Sequence, residues 1–220
     1  MFLPASNGLR NPSLIFPTPQ SLSDWLIPRL PSDSFASWGV KPGTKNVINL
    51  WIEISEGETS LSDSVPPIRM LEVVVVRVIR KDNKVLVESH QELSDGSVRS
   101  RGRPLSEKMK PCESVEAAVL RAIREELGQI VGRGSDFKEI VRIRPNSYAK
   151  KVEERVSVSY PGLPARYVLH TIDATVEGLP EGDFWTEEVE ECEGLGDRGV
   201  AEGAITCKKH VWKWVDSYSV

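Results

Sequence analysis

Two adjacent glutamates near the middle of the chain, Glu125 and Glu126, could do chemistry, since Arg121 stands one helical turn before them. Neighbouring carboxylates repel each other unless a cation joins them, and Mg²⁺ and Mn²⁺ bind carboxylate oxygens together with phosphate oxygens. Such ions also lower the pKa of bound water, as diphosphate hydrolysis requires. The pair therefore indicates a divalent-metal site. The alternative is a solvated helix face, because Glu is a good helix former.

A helix over Val115 to Leu127 is predicted to carry this pair. An α-helix has about 3.6 residues per turn, so side chains of similar spacing share one face. The predicted core-facing stripe is Ala117, Leu120, Ile123 and Leu127. A second arc is predicted to hold Ala118, Ala122, Glu125 and Glu126. Ser114 suits the N-cap and Gly128 the C-cap.

The spacing over residues 107–129 resembles the Nudix box, the signature of the Nudix hydrolase family. That signature reads Gly, five residues, Glu, seven residues, Arg-Glu, an aliphatic residue, any residue, Glu-Glu, any residue, Gly and an aliphatic residue. Six of its nine defined positions match without a gap, namely Glu113, Arg121, Ile123, Glu125, Glu126 and Gly128. The wider likeness covers about residues 70 to 215, and its specific part is confined to about 104 to 130.

The resemblance implies an α/β fold, a Nudix-like mixed-sheet α/β/α sandwich with an N-terminal extension. It also implies a Mg²⁺- or Mn²⁺-dependent hydrolase of a nucleoside diphosphate-linked (pyrophosphate) substrate, with water attacking at phosphorus. The catalytic residues would be Glu126, Glu125 and Arg121. The implied metal ligands are Glu125 and Glu126, with Glu107 as a further candidate. Arg121 would brace the loop that contains Glu113.

Several positions depart from the family pattern. Ala122 replaces the glutamate of Arg-Glu, which binds metal or helps to activate water in relatives. Ser106 and Glu107 replace loop glycines, and a side chain there can prevent the backbone conformation that a glycine allows. The other two replacements are Cys112 for a loop glycine and Gln129 for an aliphatic residue. A substitute carboxylate could come from Glu107, Glu187 or Glu188.

Two functional hypotheses follow, and a third treats the spacing as coincidence. The first is the hydrolase, with reduced activity because Ala122 has no carboxylate. The second is a catalytically inactive binding or scaffold protein of the same fold, which Ala122, Ser106 and Glu107 favour. Either form is expected to bind a nucleotide-like small molecule.

Arg99, Arg101 and Arg103 alternate along the chain and therefore share one face of a predicted strand. Guanidinium groups bind phosphates well, so Arg101 and Arg103 are predicted to bind substrate. The alternative is an exposed strand edge that is protected by charge.

The chain divides into three predicted parts. Residues 1–20 are polar and rich in proline, which predicts a disordered tail. Residues 21–68 contain three tryptophans and read as an ordered N-terminal extension, with Asn46 to Ile54 as a strand-like segment. This extension is expected to mediate homodimerisation or to bind a protein partner. Residues 69–220 form the Nudix-like domain. The predicted strands in it are Met70–Ile79, Val85–Glu88, Ile140–Arg144, Glu154–Ser159 and Tyr167–Val176; Asp183–Glu193 reads as helix or loop.

Composition limits the remaining possibilities. The 220 residues carry a net charge of −4, which gives no basis for general nucleic-acid binding. No apolar run is long enough to span a bilayer. Three cysteines without a CxxC spacing suggest neither a disulfide framework nor a zinc site, so a cytoplasmic location is expected. Residues 1–23 hold no acidic residue, which leaves organellar import open.

Overall fold

The computed structural model describes residues 14–132, 137–187 and 203–217. Its helices are α1 (Pro19–Leu26), α2 (Ser32–Ala36), α3 (Val47–Ser55), α4 (Val115–Val131) and α5 (Phe137–Ile140), with a 3-10 turn at Ile27–Arg29. Its strands are β1 (Ser60–Leu61), β2 (Arg69–Val78), β3 (Lys84–Leu93), β4 (Val98–Lys108), β5 (Val141–Ile143), β6 (Ala149–Val156), β7 (Pro164–Val176), β8 (Phe184–Glu187) and β9 (Cys207–Asp216).

The described strands form a mixed sheet in the order β5-β7-β2-β4-β3-β9-β8, with β1 added to β2 and β6 added to β7. Strands β2 and β7 run parallel, and the other pairs are antiparallel. All five predicted strands overlap with observed ones. The prediction of a mixed α/β protein is therefore confirmed, whereas the three-layer α/β/α order and the N-terminal extension stay predictions.

The main core lies between α4 and the sheet. Helix α4 packs its buried face on residues such as Val74, Val76 and Trp212. The predicted stripe was partly wrong, because Ala118, Val119 and Ala122 are fully buried while Ala117 is exposed and Leu120 only half-buried. Small alanines suit either face, and here they bring α4 close to the sheet. The helix is thus rotated toward the arc that contains the two glutamates.

Helix α4 also ends later than predicted. It continues past Gly128 to Val131, and Gly132 is the C-cap with a φ of 91°. Val131 still packs against the main core, so apolar contact extends the helix beyond the glycine. Gly132 takes the left-handed region that favours glycine, and its N–H donates to the Gly128 carbonyl at 3.1 Å.

A second core joins the N-terminal residues to the loop after β6. Leu22, Leu26 and Leu50 pack there with Tyr160 and Leu163, and all five are fully buried.

Among the described helices, none combines the length and apolar character needed to cross a bilayer.

The segment from Asn46 to Ile54 is helix α3, not the predicted strand. The Asn46 side chain accepts from the Ile48 and Asn49 N–H groups, and Asn49 caps Asn46 in return. This capping box fixes a helix start that the apolar run alone does not reveal.

Helix α1 begins at Pro19, inside the segment predicted to be a tail, and Leu14 and Phe16 pack on the second core. Residues 1–13 lie outside the described part.

Candidate functional site

Helix α4 presents Glu125 and Glu126 in different surroundings. The helix starts where Ser114 Oγ accepts from the Ala117 N–H at 3.1 Å, as predicted. Because the buried face of α4 includes the turn around Ala122, Glu126 is drawn toward β9 and its side chain is 14% exposed. Glu125 lies nearer the surface, beside Arg121, with 28% of its side chain exposed.

Arg121 connects α4 to the end of β4 and to the loop before the helix. Its Nε donates to Glu113 Oε1 at 2.8 Å, and its Nη2 donates to Glu113 Oε2 at 2.9 Å and to the Lys108 carbonyl at 2.7 Å. Its Nη1 donates to Glu125 Oε2 at 2.7 Å. Burial raises the pKa of Glu125 although Arg121 opposes the shift. All three guanidinium nitrogens thus take part in holding the loop and one of the two helix glutamates.

Glu126 faces His210, a histidine of β9 that was not among the predicted site residues. His210 Nδ1 lies 2.7 Å from Glu88 Oε1 and 2.9 Å from Glu126 Oε2. It makes its hydrogen bond with Glu88, so Glu126 Oε2 is buried without a hydrogen-bond partner. The second oxygen of Glu88 accepts from Arg101 Nε at 2.8 Å. One imidazole therefore stands between the buried Glu88 and the partly buried Glu126.

The charges of this cluster follow from burial and contact. Burial raises the pKa of Glu126 to about 7, even though His210 works in the opposite direction. Burial also disfavours the charged form of His210, but Cys207, Glu126 and Glu88 outweigh it and raise the pKa of His210 to about 12. His210 and Arg101 hold the pKa of Glu88 at about 2 against the effect of burial. His210 is therefore an internal cation at neutral pH.

Ser106 and Glu107, which the resemblance placed in a loop, are part of strand β4. Glu107 pairs with Val74 of β2 rather than lying in a loop, because the segment continues the sheet. Its Oε1 accepts from the Lys108 N–H at 2.9 Å, and its charge raises the pKa values of Glu125 and Glu126. Glu107 therefore belongs to a strand, from which its charge acts on both helix glutamates. Cys112 has a φ of 61°, in the region that favours glycine.

In this structure both helix glutamates have cationic side chains of the chain itself as neighbours. Within residues 14–132, 137–187 and 203–217, no group of three or more His, Cys, Asp or Glu side chains is arranged so that it could hold a metal ion. Glu125 is bound by Arg121, and Glu126 lies beside the cationic His210, which would repel a divalent ion. Glu187 is an exposed residue of β8, and Glu188 lies outside the described residues.

The three alternating arginines of β4 differ in their partners. Arg99 Nε donates to Gln91 Oε1 at 3.0 Å, and Arg101 pairs with Glu88. The Arg103 Nε is buried and has no hydrogen-bond partner among the described residues. Burial and the charges of Arg101, Arg155 and Arg99 lower the pKa of Arg103, although Glu88 opposes them. Arg103 is thus a partly buried guanidinium among like charges.

Comparison with known proteins gives a limited likeness. No family model matches the chain, and no curated protein matches it. Thirty-one chains of known structure match it. One is a Nudix hydrolase from Nitrosomonas europaea, with 17% identity, a TM-score of 0.33 and coverage of 50% of this chain. The match spans 62% of that hydrolase, less than two thirds of its length. The geometry of the site, rather than this likeness, therefore has to decide between the functional alternatives.

Proposed function

We propose that the chain is a non-catalytic binding module in which internal cations stand where a Nudix-type site would hold metal. The contact between His210 and Glu126 at 2.9 Å supports this most directly. A histidine cation beside Glu126 and a guanidinium on Glu125 give both carboxylates positive partners without any ion from solution. Ala122, which stands where the Nudix box has a third glutamate, is fully buried, and this agrees with the proposal.

The ligand of this module is an anion, and a phosphate-bearing nucleotide-like molecule is the proposed class. Glu88 is the carboxylate that acts on all three arginines of β4 and on His210, so positive groups are in excess around it. Arg103 is the β4 arginine whose Nε has no hydrogen-bond partner among the described residues, and a guanidinium can bind phosphate oxygens through two parallel hydrogen bonds. Binding by arginine alone would need no divalent metal.

Isothermal titration with pyrophosphate and ADP in the presence of EDTA tests this ligand. Wild type is expected to bind both, and Arg103→Gln is expected to weaken binding about ten-fold or more, since a hydrogen bond to a charged group contributes roughly 1.5–3 kcal/mol. Arg142→Gln is the matched control, because Arg142 is 72% exposed on β5. Equal affinity in wild type and Arg103→Gln would place the ligand elsewhere, and no binding by wild type would remove the anion proposal.

A second experiment tests the absence of catalysis. Nucleoside diphosphate derivatives are incubated with Mg²⁺ or Mn²⁺, and product release is compared between wild type and Glu126→Gln. No turnover above the variant is expected. Ala122→Glu is a further comparison, because it returns the carboxylate that the Nudix box has at this position. Metal-dependent turnover that Glu126→Gln abolishes would overturn the proposal.

The hydrolase remains a second candidate because of one observation. Glu126 has a pKa raised to about 7 and a carboxylate oxygen without a hydrogen bond, which are properties of a general base near neutral pH. A slow hydrolase that uses Glu126 in this way would lose activity as the pH falls below about 7. A pH–rate profile of any turnover that Glu126→Gln abolishes tests this role, because a fall in rate below about pH 7 is expected.

A further inference from the structure

Strand β6 lies at the edge of the sheet. It pairs with β7 along its whole length, from Ala149 opposite Thr171 to Val156 opposite Pro164. Within the described residues no strand pairs with its other edge. Nearly every residue of β6 is exposed, including Val152 at 47% and Val156 at 59%. An edge strand of this kind leaves every second backbone N–H and C=O free to pair with another strand.

The charges along β6 are arranged symmetrically about one residue. Lys150 and Lys151 precede Val152, and Glu153 and Glu154 follow it. An antiparallel partner of the same sequence, centred on Val152, would bring Lys150 opposite Glu154 and Lys151 opposite Glu153 in both directions. Val152 would meet its own copy. Opposite charges across a strand pair stabilise it, whereas like charges destabilise it.

The same charge pattern of β6 disfavours other arrangements of this sheet edge. A parallel in-register pairing would place Lys on Lys and Glu on Glu. A protective edge normally carries like charges, which repel any second copy, but this one is complementary to itself. We propose that two copies of this chain form a two-fold dimer by antiparallel pairing of their β6 strands, as an isologous interface requires. This proposal is independent of the proposed ligand and of catalysis.

Sedimentation velocity over a range of concentrations tests the dimer. Wild type is expected to form dimers. Lys150→Glu/Lys151→Glu is expected to weaken self-association about ten-fold or more, because four favourable cross-strand pairs become like-charge pairs. Glu153→Lys/Glu154→Lys is expected to do the same. Lys81→Glu/Lys208→Glu makes the same change of net charge at two exposed lysines and should leave the dimer intact.

Two further measurements make the test specific. A mixture of the two charge-reversed double variants should form a heterodimer, since all-acidic and all-basic strands are complementary. The quadruple variant, with lysines and glutamates exchanged, should recover the homodimer. Circular dichroism melting confirms that each variant is folded. A monomeric wild type, or a dimer that every charge variant retains through another surface, would overturn the proposal.

Discussion

Two buried glutamates, Glu53 in the N-terminal region and Glu126 in α4, have opposite electrostatic surroundings. Glu53 accepts from Arg69 Nη2 at 2.6 Å, from Lys45 Nζ at 3.1 Å and from the Tyr160 hydroxyl at 3.2 Å. Glu126 has one cationic neighbour, His210, which hydrogen-bonds to Glu88 instead. Both carboxylates are largely removed from water, with 5% and 14% of their side chains exposed.

Burial acts to raise the pKa of both residues, and the charges around each one decide the outcome. Lys45, Arg69 and Lys108 hold the pKa of Glu53 well below its ordinary value in spite of burial. The pKa of Glu126 instead rises to about 7. A fully compensated carboxylate stabilises the fold, whereas an undercompensated one can change its charge near neutral pH. Glu53 is therefore a structural residue of the fold, whereas Glu126 is a candidate functional group.

The largest expected effect comes from Glu53→Gln. Loss of this carboxylate leaves Arg69, only 5% exposed, and Lys45 without their negative partner. Removing one member of a buried ion pair costs about 3–5 kcal/mol, so the free energy of unfolding should fall by that amount. Urea denaturation measures it. Glu56→Gln, at the exposed C-cap of the same helix, is the control and should change stability by less than about 0.5 kcal/mol. If both substitutions change stability equally, Glu53 does not stabilise the fold in this way.

A smaller loss is expected from His210→Gln. The substitution keeps a hydrogen-bond donor near Glu88 but removes the positive charge between two buried carboxylates. We expect a loss of about 2–3 kcal/mol in denaturant unfolding at neutral pH, in the range for hydrogen bonds to charged groups. His90→Gln, at a half-buried histidine on the neighbouring strand β3, is the control. An unchanged stability of His210→Gln would mean that the imidazole is not the cation of this cluster.

The smallest effect, in the opposite direction, is expected from Glu126→Gln. The folded pKa of Glu126, about 7, lies above its ordinary value of 4.5. Its contribution to stability is therefore complete below about pH 4.5 and is lost as the pH rises through about 7. Between about pH 5 and pH 8, wild type should lose on the order of 1–3 kcal/mol relative to Glu126→Gln. Parallel curves for the two proteins would show that Glu126 titrates normally.

Local chemistry made part of this arrangement predictable. The start of α4 followed from Ser114 and its apolar spacing, and strand β2 followed from its β-branched run. The resemblance correctly implied that Arg121 holds Glu113, because the seven-residue spacing brings the loop glutamate back to the helix.

Contacts distant in sequence were not predictable in the same way. His210 stands on the last strand, and only the pairing of β9 with β3 brings it to Glu88 and Glu126. Its position two residues before the buried Trp212 marks a core-facing histidine, which was the one available signal. The rotation of α4 could not be predicted either, because alanine is compatible with both faces of a helix.

Lys108 connects the surroundings of Glu53 to Arg121 of helix α4 and so limits how the chain can be divided. Its side chain pairs with Glu58 and lies 3.8 Å from Glu53, while its backbone carbonyl accepts from Arg121. A fragment that begins at residue 69 would leave Lys108, Arg69 and Tyr160 without their carboxylate partners and expose the second core. The N-terminal residues are therefore expected to unfold together with the sheet as one cooperative unit. A fusion or deletion variant that alters the N-terminal residues must therefore keep Glu53 in place for the sheet to stay folded.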